Sequence, residues 1–365
     1  MSESFNIIQF LKSAVATGAS DEHIKVGHSP FIRKNGFIKK TNIPLLKKED
    51  IEAAILEMAP SALRDKILSL TDVDFMYEIK GCSRFRVNYN RQLGQPGLVI
   101  RNISYNIPLL KELSLPEILH SIIEYQNGII LVTGPTGSGK STTIASLINQ
   151  INLTAAKHII TVEDPIEYVF NCKKSIVSQR QVGVDTSSFS DGIKYALRQD
   201  PDVIFIGEIR DKETMEAALK ASETGHLVLS TLHTNDAVQT INRIVNMFEE
   251  SNRFLIRRQL AETLRATIAQ KLVYSEQECK RYPACEIMVV TSTIKDYINK
   301  DNTEEIYELL RDNTVDNMIS MNNSLATLAD KGLITEEEAL ASSNDESELE
   351  KMFRGVYQGT KAYYE

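Results

Sequence analysis

The stretch that decides the fold reads Gly134-Pro135-Thr136-Gly137-Ser138-Gly139-Lys140-Ser141. It matches the P-loop pattern G-x-x-x-x-G-K-[ST], whose glycines let backbone N–H groups turn inward around phosphate oxygens. The apolar run at residues 129–132 precedes it and predicts a buried strand. Apolar residues follow at i, i+3, i+4 and i+7 from Ile144, which predicts a helix. A strand, a glycine-rich loop and a helix in this order indicate a nucleotide-binding α/β domain.

The P-loop supplies the candidate contacts for a nucleotide. Lys140 is expected to reach the β- and γ-phosphates, and the Ser141 hydroxyl is a candidate ligand of Mg²⁺. The N-terminus of the following helix adds partial positive charge beside the phosphates. ATP and Mg²⁺ are therefore the predicted cofactors. The candidate binding residues are Gly134, Pro135, Thr136, Gly137, Ser138, Gly139, Lys140, Ser141 and Thr142.

Two acidic residues follow apolar runs that have the character of buried strands. The run at residues 159–162 leads into Glu163, and the run at residues 203–206 leads into Gly207 and Glu208. Hydrolysis of ATP needs carboxylates for the metal and for the attacking water. Because the carboxyl ends of strands in α/β sheets face the ligand crevice, Glu163 and Glu208 are candidate catalytic residues. The alternative is that both are solvated acids of surface loops.

One histidine lies in a comparable position. His226 and His233 flank the apolar run at residues 227–231, and His233 follows its carboxyl end. We therefore expect His233 to sense the γ-phosphate through a hydrogen bond. The four cysteines form no C-x-x-C pair, so neither a disulfide framework nor a zinc site is expected.

The pattern beyond the P-loop predicts the architecture of the larger domain. Short β-rich runs at 128–133, 158–162, 203–206 and 227–231 alternate with helical stretches. This alternation is typical of a mostly parallel sheet covered by helices. From about Arg253 onward the pattern predicts mostly helix. The fold class is therefore α/β, with the P-loop domain expected at residues 117–365.

The first hundred residues predict a smaller α+β domain. A helix is expected from Ile7, and Asn35-Gly36 indicates a hairpin because a type I′ turn needs φ > 0 at both positions. Further helices are predicted at 49–58 and 62–70, and strands at 75–79 and 85–89. Pro108 and Pro116 limit regular structure between the two domains. The expected boundaries are 1–100 for the first domain and 101–116 for a linker.

Composition and charge restrict the class of protein. The chain has 365 residues, 42% of them apolar, and a net charge of −8. Eight acidic and three basic residues lie from residue 335 to the end, so a solvated, partly mobile acidic end is expected. The acidic balance and the lack of a basic-aromatic stretch argue against nucleic acid as a partner. No run of about 18–20 apolar residues and no signal peptide is present, which predicts a cytoplasmic location.

The four motifs together resemble those of the secretion-ATPase superfamily. Its Walker A, Asp box, Walker B and His box match residues 134–141, 161–167, 207–211 and 225–234 in this order. Among the branches, the chain is most similar to the type IV pilus retraction ATPases, the PilT/PilU-like group. The resemblance implies a PAS-like N-terminal domain, a RecA-like ATPase domain and a ring-shaped homo-hexamer.

The resemblance also implies roles for individual residues. Glu163 matches the Asp-box glutamate, which is the general base, and Glu208 matches the Walker-B glutamate, which supports Mg²⁺. Family arginines of the N-terminal domain and linker reach the γ-phosphate across the subunit interface. The matching positions here are Arg86 and Arg101, and Arg84 is a weaker third.

The expected function is a hexameric ATPase motor that powers pilus retraction and twitching motility. The implied partners are an inner-membrane platform protein and a paralogous retraction or extension ATPase, with the ring at the cytoplasmic side of the pilus base. An accessory PilU-like role or another type II/IV secretion ATPase is the alternative, since the helix at residues 293–300 lacks the arginines of the family's retraction motif. A RecA-like nucleic-acid motor is a third reading that the acidic charge disfavours.

Overall fold

The chain divides into two units, Met1–Asn106 and Ile107–Glu365. The computed structural model describes residues 5–34, 36–103, 106–311 and 318–355. Among these residues, no helix is both long enough and apolar enough to cross a bilayer.

The first unit is an antiparallel sheet packed against helices. Its described residues contain six strands in the order β3-β2-β1-β6-β5-β4. In β5, buried residues such as Phe85, Val87 and Tyr89 alternate with partly exposed ones, so one face of the sheet holds the core. The elements are α1 (Ile7–Ala16), β1 (Asp21–Lys25), β2 (Phe31–Lys34), β3 (Phe37–Lys40), α2 (Lys48–Met58), α3 (Ser61–Arg64), β4 (Val73–Ile79), β5 (Ser83–Gln92) and β6 (Gln95–Ile103).

Three predictions for this unit can be compared with the structure. β2 and β3 pair as an antiparallel hairpin with Gly36 at φ +85°, while Asn35 lies outside the described residues. The single helix predicted at 62–70 is wrong, because α3 ends at Arg64 and a 3₁₀ turn at Ile67–Ser69 buries Ile67 and leads toward β4. The linker was predicted to begin at Arg101, but β6 runs through Ile103, so Arg101 belongs to a strand.

The second unit is a sheet with helices on both faces. In its described residues seven strands have the order β13-β12-β7-β11-β10-β8-β9, all parallel except the β12–β13 pair. The first elements are α4 (Ile118–Ile122), β7 (Gly128–Thr133), α5 (Lys140–Thr154), β8 (His158–Glu163), β9 (Ile176–Gln181), α6 (Phe189–Ala196), β10 (Val203–Ile206), α7 (Lys212–Glu223) and β11 (Leu227–Leu232). The others are α8 (Ala237–Asn246), α9 (Glu250–Thr263), β12 (Leu264–Ser275), β13 (Lys280–Val289), α10 (Ser292–Lys300), α11 (Thr303–Arg311), α12 (Met321–Asp330), α13 (Glu336–Ser342) and α14 (Glu346–Phe353).

Two apolar cores flank this second sheet. Ile130 and Val132 of β7 pack with α4 and α5, whereas Ile129 and Leu131 pack with the helices from α6 to α11. All six residues of β7 are buried, as expected for a strand covered on both faces. The small α+β unit followed by a larger P-loop unit confirms the predicted fold class.

From Arg253 onward most of the described residues are helical, as predicted, but the prediction missed a long hairpin. After α9, β12 and β13 form a long antiparallel hairpin that extends the sheet beside β7. Residues 266–270 are buried without interruption, so the period-2 alternation that marks a half-exposed strand is missing. Ala269, Gln270 and Lys271 also have high intrinsic helix propensity, so local preference does not indicate a strand here.

The acidic C-terminal segment also differs from expectation through residue 355. α13 and α14 pack on the β12–β13 hairpin with Ala339 and Leu349 fully buried. Arg311 lies 2.6 Å from Asp345 and 2.8 Å from Glu348. This part of the segment is therefore packed structure, while residues 356–365 of the acidic end lie outside the description.

Candidate active site

The P-loop connects β7 to α5 in a backbone shape that only glycine accommodates at two points. Gly134 has φ +140°, and a Cβ atom there would lie 2.3 Å from the Gln270 carbonyl oxygen. Gly139 has φ +89°, and a Cβ would lie 2.7 Å from Gln270 Nε2. Gly137 has φ +83° with open space around it. The loop thus follows its path partly because β12 packs tightly against it.

Lys140 begins α5 and folds over the loop. Its Nζ donates hydrogen bonds to the carbonyl oxygens of Gly134, at 2.7 Å, and Pro135, at 2.9 Å. Burial lowers the pKa of Lys140, while the Glu167 and Glu208 carboxylates act in the opposite direction. The ammonium group therefore lies at the loop, in a field set partly by acids of the Asp box and Walker B.

The remaining P-loop residues lie at the start of the same helix or in the loop itself. Pro135 and Thr136 are exposed, Ser138 is buried and Ser141 is partly exposed. The Thr142 hydroxyl lies 3.0 Å from the Tyr168 hydroxyl of the Asp-box segment. This contact joins the P-loop helix to the loop after β8.

Gln270 is a structural part of the site that the sequence analysis missed. It is 2% exposed on β12, donates to the Ser138 carbonyl at 2.7 Å and accepts from the Thr143 hydroxyl at 2.8 Å. Both ends of the amide therefore fasten the P-loop to its neighbouring strand. The only feature of the sequence that could have indicated this role is a single glutamine in an apolar stretch. Such a residue is easily interpreted as an exposed position of a helix.

Glu163 closes β8 and is 5% exposed. Its Oε1 accepts from the Thr161 hydroxyl at 2.7 Å and from Gln179 Nε2 at 3.2 Å, and its Oε2 faces the Glu167 backbone N–H at 3.4 Å. Burial raises the pKa of Glu163 to about 7, although the three hydrogen bonds oppose this effect. A carboxyl with a pKa near neutral can take a proton at physiological pH.

Glu208 and His233, which were predicted separately, lie together. Glu208 Oε2 is 3.5 Å from His233 Nε2, and Glu208 Oε1 is 2.6 Å from Arg210 Nη2. Glu208 follows β10 and His233 follows the adjacent β11, which explains the contact. Arg210 was missed because an arginine in a short polar loop has no distinguishing sequence pattern.

Parallel pairing aligns the four motifs at one edge of the sheet. Thr133 of β7 pairs with Leu232 of β11, and Val162 of β8 pairs with Ile206 of β10. The segments after these residues therefore begin at similar heights, as expected for a site at the carboxyl ends of strands. This edge carries the P-loop, the Asp box, Walker B and the His box.

The donor set at this edge fits Mg²⁺. Ser141 and Glu208 offer a hydroxyl and a carboxylate, the oxygen ligands that this ion prefers. Mg²⁺ at nucleotide sites usually takes few protein ligands and keeps waters and phosphates. The described residues contain no group of three or more His, Cys, Asp or Glu side chains placed to hold a metal ion.

A cavity of about 540 Å³ adjoins the P-loop helix. Gly139, Thr142 and Thr143 line its loop side, and residues 112–115 and 280–283 line much of the rest. It combines a tyrosine ring, leucine side chains and the two basic residues Lys280 and Arg281. Such a mixed lining suits an organic group attached to phosphates.

Arg86 and Arg101 lie in the first unit on paired strands. They face each other in the β5–β6 register. Arg86 Nη2 is 3.8 Å from Asp74, and Arg101 Nε is 2.9 Å from Asp21. Each guanidinium thus has an acidic partner within its own sheet, and the role in a neighbouring subunit stays a prediction.

Known proteins resemble this chain in sequence and in structure. A family model described as "Type II/IV secretion system protein" matches residues 6–356. The chain is 39% identical over 334 residues to the type IV pilus retraction ATPase PilT of Pseudomonas aeruginosa, covering 92% of this chain and 97% of that protein. It is 36% identical over 346 residues to the type IV pilus ATPase PilU of the same species, covering 95% and 91%.

A solved structure extends the likeness to three dimensions. The crystal structure of the pilus retraction motor PilT with bound ADP superposes with a TM-score of 0.88 at 43% identity, covering 95% of this chain and 100% of that one. The predicted resemblance to pilus retraction ATPases is thereby confirmed. The chain belongs to the Type II/IV secretion system protein family and, within it, is similar along nearly its whole length to PilT-like ATPases.

Proposed function

We propose that this chain is the motor that hydrolyses ATP to power type IV pilus retraction. The observation that carries this proposal is the convergence of the P-loop, Glu163, Glu208 and His233 on one edge of the sheet. The full-length likeness to retraction ATPases supports the choice of the pilus as the machine that is driven. The domain boundaries of 1–100 and 117–365 around a linker at 101–116 stay a prediction, although residues 101–103 belong to β6.

Nucleotide binding is assigned to the P-loop and the adjoining cavity. Backbone N–H groups of the loop and the start of α5 hold the phosphates, and Lys140 turns from the loop carbonyls toward them. The base and ribose occupy the cavity lined by Thr142 and Tyr282. Ser141 and Glu208 would hold Mg²⁺, which would supply positive charge beside the phosphates.

Hydrolysis is assigned to Glu163 as general base. Its carboxylate accepts a proton from the attacking water, for which a pKa near 7 is well matched. His233 and Arg210 both contact Glu208, so a change at the γ-phosphate can be passed from the Walker-B loop to the His box. α8 begins shortly after the His box, so it is the first helix that a movement of the His box would displace.

The assembly is proposed to be a homo-hexamer at the cytoplasmic side of the pilus base. Its partners would be an inner-membrane platform protein and, where one is present, a paralogous retraction or extension ATPase. Arg86 and Arg101 of one subunit would act on the nucleotide of its neighbour.

Gene deletion combined with imaging of surface pili tests the cellular function. Loss of a retraction motor should leave excess, static pili, whereas loss of an extension motor should leave none. Complementation with Glu163→Gln should fail to restore retraction even though the protein is present. Restored retraction would refute the assignment of this residue as the base.

An accessory PilU-like role has one specific observation in its favour. α10 keeps the buried Ile294 and Ile298 but presents lysines, with Lys295 2.9 Å from Glu262 and Lys300 2.7 Å from Asp296. To decide between the primary and the accessory role, this protein is expressed in a strain that lacks its own retraction ATPases. A primary motor restores retraction alone, and an accessory one requires a partner ATPase.

A further inference from the structure

Gln179 makes three hydrogen bonds that the sequence analysis did not predict and to which the proposed mechanism assigns no role. It lies on the edge strand β9, which pairs in parallel with β8. Its Nε2 donates to Glu163 Oε1 at 3.2 Å and to the Tyr168 carbonyl at 2.8 Å, while its Oε1 accepts from the Phe170 N–H at 2.8 Å. One amide therefore connects the candidate base with two points of the segment that follows it.

We propose that Gln179 is a positioning residue that holds the Glu163 carboxylate in its reactive orientation, together with Thr161. This inference rests on the proposed function of Glu163 as general base. Gln179 itself does not touch the reacting atoms. Its role is to fix the carboxylate between β8 and the Asp-box segment.

The hydrogen bonds distinguish the two oxygens of Glu163. Oε1 receives two donors, from Thr161 at 2.7 Å and from Gln179 at 3.2 Å. Oε2 has a single backbone contact at the long distance of 3.4 Å. Because hydrogen bonds to an oxygen stabilise its negative charge, Oε1 is the less basic of the two. The structure thus assigns proton uptake from water to Oε2.

Few charged groups affect the pKa of Glu163, so the neutral hydrogen-bond donors have a large effect on it. From its own loop, the Glu167 carboxylate raises the pKa of Glu163, in the same direction as burial. On the β10 side the neighbour is the backbone of Gly207, which carries no charge. Lys140 on the P-loop side interacts with Glu167 and Glu208. Thr161 and Gln179, with the Glu167 backbone N–H, are therefore the groups that lower the pKa of Glu163 against the effect of burial.

The test is the pH profile of kcat for the full chain, measured between pH 5.5 and 9.5. Gln179→Leu removes the donor to Glu163, and a hydrogen bond to a charged group is strong enough to shift the acidic limb upward by about one unit. With a limb near pH 7, the rate at pH 7 should fall about fivefold and recover above pH 9. Gln179→Glu keeps the acceptor for Phe170 but adds a like charge, so its shift should be larger.

Two further variants separate positioning from folding. Thr161→Val removes the second donor with little change of shape and leaves the Tyr168 and Phe170 contacts intact, so it should shift the same limb. Ser178→Ala is the matched control on the same strand, where the hydroxyl faces the His158 ring at 3.3 Å, and should leave the limb in place.

The outcomes are distinguishable. If Gln179→Leu lowers kcat by one factor at every pH while Thr161→Val leaves the limb unchanged, the positioning role is wrong. If Gln179→Leu fails to fold, Thr161→Val alone decides, and an unshifted limb overturns the proposal. A wild-type chain without ATPase activity, or a fully active Glu163→Gln, would instead refute the proposed function.

Discussion

Replacing Gly134 with alanine perturbs the P-loop at its most confined point. Its φ of +140° lies in a region that is essentially restricted to glycine, with a strain of about 1–3 kcal/mol for other residues. The new Cβ would also lie 2.3 Å from the Gln270 carbonyl oxygen and 2.7 Å from Ser138 Oγ. The carbonyl belongs to β12, which is paired with β7, so it cannot move aside cheaply.

Gly137 provides the matched control. Its φ of +83° is also left-handed, so alanine costs about 1–2 kcal/mol there, but its Cβ meets nothing within 4 Å. Gly137→Ala should therefore lower stability slightly and keep the loop shape. Gly134→Ala should force the loop away from β12, so that two or more charge-assisted phosphate contacts are lost. That is at least about 3 kcal/mol of binding free energy, or roughly a 100-fold weaker affinity.

Calorimetric titration with ADP measures this difference, and circular dichroism at each titration temperature shows that both variants are folded. We expect Gly137→Ala to bind ADP within about tenfold of wild type, because its strain lowers the stability of the fold and removes no phosphate contact. A folded Gly134→Ala that binds ADP as tightly as Gly137→Ala would refute the argument that packing against β12 shapes the loop.

Three other predictions follow from the site and its surroundings. Lys140→Ala should keep the fold but lower phosphate release by at least about 10²–10³, because alanine cannot neutralise the transferring phosphoryl group; near-normal turnover would contradict this. An Arg86→Ala/Arg101→Ala subunit should be inactive yet regain turnover when mixed with Lys140→Ala, because some interfaces then pair an intact P-loop with intact arginines. If mixed rings are shown to form and activity stays at background, the role in a neighbouring subunit is wrong, and both arginines only pair with acids of their own sheet. Burial raises the pKa of Glu286 to about 7, so the folded state holds this proton more tightly than the unfolded state and loses up to about 3 kcal/mol of stability as pH rises from about 4.5 to 7. Glu286→Gln should therefore show a smaller fall in Tm between pH 5 and pH 8 than wild type, and equal falls would refute this assignment.

The strands and helices were predicted best from the sequence where the local apolar pattern matches the burial in the fold. β7 and β10 have the bounds that the sequence predicted, and the apolar period from Ile144 falls within α5. Continuous apolar strands and the 3.6-residue period are strong signals. The alignment of Glu163 and Glu208 on one edge of the sheet also followed from strand direction alone. These features depend on short stretches of chain and on one rule of parallel sheets.

The parts that the sequence did not reveal depend on contacts distant along the chain. Gln270 meets the P-loop more than 120 residues away, and Gln179 lies on an edge strand whose exposed Ile176 and polar residues weaken the β pattern. The pairing of Glu208 with His233 required the strand order, which periodicity does not contain. In each case a polar residue acquires its role only from the partner that the fold brings to it.

The packing of the C-terminal helices has a practical consequence for how deletions of the acidic end are interpreted. Leu325, Ile334 and Leu349 share a core with Val273 and Tyr282 of the β12–β13 hairpin. The same hairpin carries Gln270, which fastens the P-loop. A truncation before α13 would expose this apolar surface and loosen the strand behind the P-loop, so lost ATPase activity would report a damaged scaffold rather than a missing regulatory tail. The described residues of that core all lie at or before Phe353, so a stop codon or an affinity tag placed after residue 355 retains every one of them.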